Sequence, residues 1–166
     1  MNTQDILLIY DYNYWANRRI LAACAQISPE EFAAPTSHSY GSLRGTLVHG
    51  LDAEYAWRLL CQTNSLAGFR ELTTEMLPTL DALVQRWEEE ETAMRAYLAG
   101  LTDEDLTGFV RYTTDEGKKR ERILWHCLHH VVNHGTQHRS EAAVLLTDYG
   151  ASPGDVDFTL FLNERR

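Results

Sequence analysis

The amino-acid sequence, 166 residues long, points to an all-α protein: a four-helix bundle with a short irregular or hairpin segment before its last helix. Three features carry that expectation. Four long stretches place an apolar residue at every third or fourth position, the spacing of an amphipathic helix. Each stretch holds one tryptophan (Trp15, Trp57, Trp87, Trp125), a large side chain of the kind that packs helices together. No repeat, low-complexity tract or linker interrupts the chain, so residues 1–166 are read as a single domain.

The first helix is expected from about Thr3 to Ile27, with Ile6, Tyr10, Tyr14, Ile20, Leu21 and Cys24 at three- and four-residue steps. Ser28-Pro29-Glu30-Glu31 then supplies an N-cap, a proline at the first helical position and a glutamate at N3, which opens a short helical turn. The second helix spans about Ser42 to Gln62, and the third about Thr79 to Leu98, stopping before Gly100. Within the third, Glu88 to Glu91 reads as a solvated face. Phe109 to Thr114 alternates briefly before Asp115-Glu116-Gly117, as a short hairpin or an extended loop would. The fourth helix is expected from about Lys119 to Tyr149, with the Lys118–Arg122 charges as its solvated start, Gly150 as its stop and Pro153 beyond. The tail around Asp157–Leu162 is apolar enough to pack back onto the body.

Composition excludes several classes of function. Asp and Glu outnumber Lys and Arg by 24 to 15, a net charge of −9, so a nucleic-acid partner is not expected. No apolar run approaches the roughly 18–20 residues that span a bilayer, and the N-terminus has no signal-like core, so no membrane partner is expected and the location is read as cytoplasmic. Cys24, Cys61 and Cys127 are odd in number and widely spaced, which suits reduced thiols in a core rather than disulfides.

The histidines carry the functional signal. At 3.6 residues per turn, with Ile123 set to zero, the apolar residues Leu124, Cys127, Leu128, Val131, Ala142, Leu145 and Leu146 fall within an arc of roughly 0° to 140°. His134 at about 20° and His138 at about 60° lie inside that arc. His130 sits at its edge, near 340°, while His126 (about 300°) and His129 (about 240°) lie outside. On the second helix His49 shares the apolar side with Ala53, Ala56 and Leu60. Two imidazoles one turn apart and a third from a facing helix make a set of neutral ligands that leaves a metal coordination position open, as working sites do. The alternative for each ring taken alone is a core histidine hydrogen-bonded to a carbonyl or a water. Glu54 and Glu141, near the edges of their arcs, are candidates to orient the rings. Arg139, at about 160°, falls just outside the arc and is a candidate to pair with a substrate carboxylate. Tyr10 and Tyr14 suit a pocket lining or the core equally, and His38 is read as a surface residue.

Several of these residues also carry a family resemblance. Tyr14-Trp15-Ala16-Asn17 with Ile20-Leu21, then His49 with Glu54 and Trp57, then the run His130, Asn133-His134, His138-Arg139, Leu145-Leu146 and Gly150, occur in an order that resembles the DinB-like proteins of the DinB/YfiT group. The resemblance spans nearly the whole chain. It implies a four-helix bundle, often a homodimer, with zinc or nickel or a similar divalent ion held by His49, His134 and His138. It further implies chemistry with low-molecular-weight thiols such as bacillithiol or mycothiol, because the better-understood relatives are thiol transferases and isomerases. Where the usual pattern follows His-Arg with Gly-Gln, this chain has Ser140-Glu141.

The expected function is therefore that of a divalent-metal enzyme, a thiol-dependent S-transferase acting on a small-molecule substrate. The alternatives are a metal-dependent hydrolase, a metal- or small-molecule-binding regulatory module without turnover, and a structural helical dimer with unmetallated histidines. Residue types alone single out no catalytic acid or base, and three imidazoles suit zinc, nickel, copper and iron alike.

Overall fold

The computed structural model describes residues 1–114 and 116–165. In chain order these form α1 (Thr3–Cys24), α2 (Pro29–Ala33), α3 (Leu43–Thr63), α4 (Leu80–Ala99), α5 (Asp103–Leu106), β1 (Phe109–Thr113), β2 (Lys119–Ile123), α6 (Leu124–Asp148) and α7 (Phe158–Glu164). The molecule is mostly helical, as expected for an all-α bundle, with one two-stranded antiparallel sheet among the described residues. Among the described residues no helix is long and apolar enough to cross a membrane.

Helix starts follow the side-chain chemistry. Asn2 accepts the Asp5 N–H and Asp5 returns a bond to Asn2; Ser28 and Glu31 do the same for α2. Ser42 and Thr79 cap α3 and α4. α6 has no side-chain cap, and its first N–H, that of Leu124, is held at 2.8 Å by the carbonyl of Gly108. The hairpin thus fixes where α6 begins. α3 ends on Asn64, whose φ of 54° is the left-handed conformation common at helix ends.

α1, α3, α4 and α6 touch around a ring in the order α1–α6–α3–α4. Tyr10 reaches Leu128 and Asn17 reaches Arg139, so α1 and α6 run the same way. Gly50 lies against His138 and Trp57 against His130, so α3 opposes α6. Asp11 pairs with Arg95 and Arg18 with Glu91, so α4 opposes α1. The topology is up-down-down-up, and the parallel pair α3 and α4 requires the long crossover of residues 64–79.

The core is two apolar clusters separated by a polar belt. One contains Ile6, Tyr10, Tyr14, Leu60, Met94, Leu98, Cys127, Leu128 and Val131; the other contains Ile20, Leu43, Leu47, Leu51, Leu83, Ala142 and Leu146. Each such side chain contributes about 1.5–3 kcal/mol when taken out of water. Between the clusters each bundle helix supplies buried polar groups: Asn13 and Asn17, Glu54, Glu90, and Arg139. Tyr10 and Tyr14, at 0% and 1% exposure, belong to the core, and Tyr14 also borders a cleft between α1 and α4, away from the histidines. The three cysteines are buried and free. The tail packs back through α7, whose Phe158 and Phe161 meet Tyr12 and Trp15 of α1 at ring distances of 5.3 and 5.7 Å.

Two expectations are corrected. Lys119–Ile123 is not the start of the last helix but β2, paired with β1 in the register Arg111↔Glu121 and Tyr112↔Arg120. The segment offers one apolar residue in five, too few to hold a helical turn against the bundle, and Gly117 with φ 77° turns it back onto β1. Of the turn residues expected there, Asp115 lies outside the described residues. The Glu88–Glu91 run is not wholly solvated. Glu90 is fully buried and accepts hydrogen bonds from Arg58 and Arg86, because four consecutive helical positions point in four directions and one of them faces inward.

Candidate metal centre

The three histidines singled out by helical phase come together. His49 on α3 and His134 and His138 on α6 each offer a ring nitrogen, and these atoms all lie within 4.8 Å of one another. The Nε2 atoms of His134 and His138 are 3.1 Å apart. Two nitrogens bound tetrahedrally at about 2.0–2.1 Å from one ion stand roughly 3.3 Å apart, so the pair already has the spacing of co-ligands. His138 is buried, whereas His49 and His134 are half-buried, which leaves the open side of the centre toward their exposed edges.

The surroundings orient His138 and lower the basicity of His134 and His49. Glu141 Oε2 lies 3.2 Å from His138 Nδ1, so a proton on Nδ1 is satisfied there and Nε2 presents its lone pair to the centre. Burial first, and the neighbouring His138, His49 and His130 next, push the His134 imidazolium down to about 4. Burial and His138 lower His49 as well, against an opposing pull from Glu141. Neutral imidazoles are what a divalent cation binds. Tyr40 completes one wall: its ring stacks on His49 at 3.9 Å with a 12° interplanar angle and meets His138 edge-on at 5.2 Å.

Local sequence explains how Tyr40 arrives there. A Cβ at Gly45, in the first turn of α3, would collide with the backbone carbonyl of Tyr40, so a glycine at this position lets the preceding loop lie against the helix. Gly50 lies where α3 meets α6, and a Cβ there would stand 3.8 Å from the His138 Cβ, an ordinary packing distance. The donor set and its spacing fit a divalent cation.

The other candidates divide. Glu141 touches the His138 ring; Glu54 touches none of the three histidines. Glu54 accepts from Tyr14 Oη at 2.6 Å and from Asn13 Nδ2 at 3.4 Å, inside the polar belt. Burial, with Glu90 adding to it against the Tyr14 hydrogen bond, raises its carboxyl to about 7. Arg139 is not at the margin of the helix face as expected but 2% exposed. Its Nη1 donates to Asn13 and Asn17 at 2.6 and 2.8 Å, and its Nη2 donates to Thr136 at 2.8 Å. A Cβ at Gly135 would meet that guanidinium at 2.8 Å, so glycine opens the channel through which the long side chain turns inward. The cavity it lines with His138, Glu54 and Trp87 is about 10 Å³, far too small for a substrate. Arg139 therefore braces α6 against α1 and is closed to a substrate carboxylate. His38 is half-buried in the loop preceding Tyr40.

Sequence reasoning passed over Tyr40, placed in a loop beside His38. The available signal was Gly45, a helix-disfavouring residue in the first turn of an otherwise regular helix.

Comparison with known proteins gives a consistent picture. The model of the DinB family matches residues 1–166. The chain is similar to Protein DinB of Bacillus subtilis (strain 168), at 23% identity over 158 residues that cover 93% of this chain and 91% of that relative.

Proposed function

The chain belongs to the DinB family, and on that premise we propose that it is a divalent-metal-dependent enzyme, an S-transferase that joins a low-molecular-weight thiol to a small electrophile. The observation that carries this reading is the convergence of His49, His134 and His138, three nitrogen donors from two helices with an open side. A divalent ion held by neutral imidazoles is electron-poor, and when bound it favours the thiolate form of a thiol at its remaining position. The residues of the chain do the rest. Glu141 fixes the His138 ring through Nδ1. Tyr40 covers one face of His49 and holds that ring in orientation. The depressed basicity of His134 keeps its nitrogen available at neutral pH.

The test is conjugation by zinc-loaded protein of glutathione, bacillithiol or mycothiol to monochlorobimane. Conjugation above background that disappears in His134→Ala, with helical content unchanged, is the expected result. Stoichiometric zinc with no conjugation of any of the three thiols overturns the transferase reading and leaves a metal-binding module.

A further inference from the structure

A second cleft begins one ring away from the histidine centre. It measures about 390 Å³ and is lined by Trp57 of α3, Tyr112 of β1, Arg122 of β2, and His126, Cys127 and His130 of α6. The His130 ring lies 5.6 Å from that of His134 and 4.9 Å from Trp57. Trp57 in turn meets Tyr112 edge-on at 5.6 Å. Four rings thus form a continuous wall from the centre to the hairpin. A volume of this size, aromatic walls and a few polar groups are the ordinary features of a small-molecule site.

The charge of the cleft runs against that of the molecule. The chain is acidic overall, yet among the described residues no carboxylate lines this cleft, while one guanidinium does. Arg122 makes no ion pair among the described residues, and its side chain donates to the carbonyl of Glu121 at 3.0 Å. Arg111 on the opposite strand, whose cross-strand partner is Glu121, is by contrast neutralised by that carboxylate at 2.7 Å. A guanidinium held at the end of an aromatic wall matches a carboxylate, which it can grip through two parallel hydrogen bonds.

We propose that this cleft is a substrate subsite: it seats the apolar body of a small carboxylate-bearing molecule against Trp57 and Tyr112 and its carboxylate on Arg122, with the reacting end directed past His130 to the histidine centre. The inference rests on the proposed transferase reading for the identity of the reacting end, but the subsite itself is defined by residues outside the histidine set. The carboxylate belongs either to the thiol or to its acceptor, and two probes separate these sources.

The experiment is an NMR titration of the zinc-loaded protein, following the Trp57 indole and Arg122 Nε resonances with benzoate, a planar carboxylate without a thiol, and with glutathione, a thiol that carries carboxylates. Benzamide is the neutral control for benzoate. The expected result is that at least one carboxylate shifts both resonances, that benzamide binds about tenfold or more weakly than benzoate where benzoate is the binder, and that Arg122→Gln weakens the carboxylate by about tenfold. Arg122→Lys, which keeps the charge but not the fork, should lie between. The ligand that responds identifies the source. Repeating the titration in His134→Ala separates the two proposals. Shifts that persist there support the subsite even if the centre holds no metal. Bound zinc with no shift from either carboxylate, equal binding of benzoate and benzamide, or shifts confined to the centre's histidines each overturn it.

Discussion

His138 sits between two demands, presenting Nε2 inward while its Nδ1 meets Glu141 at 3.2 Å. Removing the carboxylate frees the ring to rotate and to exchange its proton, so Glu141→Gln is expected to weaken zinc about 10- to 100-fold. Competition with a chromogenic chelator measures this, and an affinity equal to wild type would show that Glu141 does not orient the ring. The clustering of the α6 histidines was legible in the sequence because burial on α6 repeats with the helical period, and His134 and His138 fall in phase with Leu128, Val131 and Ala142. Arg139 was not. Phase gives the direction of a Cα–Cβ bond, whereas a long side chain can bend back across a gap, and here Gly135 leaves that gap. Glu90 was hidden for a related reason: a run of four identical residues carries no periodic signal to mark which one faces in.

At the scale of elements, the loop before α3 and the hairpin before α6 decide what surrounds the centre. Gly45 permits the close approach of the Tyr40 backbone to the helix, and Tyr40 stacks on His49. Alanine is the better helix former by about 1 kcal/mol, yet its methyl group would strike the Tyr40 carbonyl. Gly45→Ala is therefore expected to destabilise the protein by about 1–3 kcal/mol and to release Tyr40 from His49. Urea unfolding and the His49 ring resonances measure the two effects, and a stabilised variant with an unchanged His49 environment would contradict the packing described. The four long helices, the Ser28 cap, the Gly150 stop and the return of the tail were all readable, because each has a local chemical cause. The β2 strand was not, because its partner β1 lies across a turn and the register that holds Lys119–Ile123 extended is a non-local fact.

On the scale of the whole bundle, the polar belt between the two apolar clusters makes stability depend on pH. Glu54 releases its proton near 4.5 in the unfolded chain but holds it to about 7 when buried. The stability gained from keeping it protonated is thus fully present below about 4.5 and is lost as pH rises through 7, a change on the order of 3 kcal/mol. The histidine set acts in the opposite sense: His134 binds its proton less readily when folded, so its contribution is present above 6.5 and lost as pH falls toward about 4. In chelator-treated protein, Glu54→Gln should gain on wild type by roughly 3 kcal/mol between pH 4.5 and 8. Urea unfolding across that range measures the difference, and a difference constant with pH would show that Glu54 titrates alike in both states.

The same architecture sets two histidines of α6 against one of α3, and metal content tests that convergence most directly. Elemental analysis of protein purified without an affinity tag is expected to find about one divalent ion per chain, falling sharply in each of His49→Ala, His134→Ala and His138→Ala while the helical content stays as in wild type. Wild-type protein with no bound divalent ion, or full occupancy retained in all three variants, would contradict a site shared by these rings.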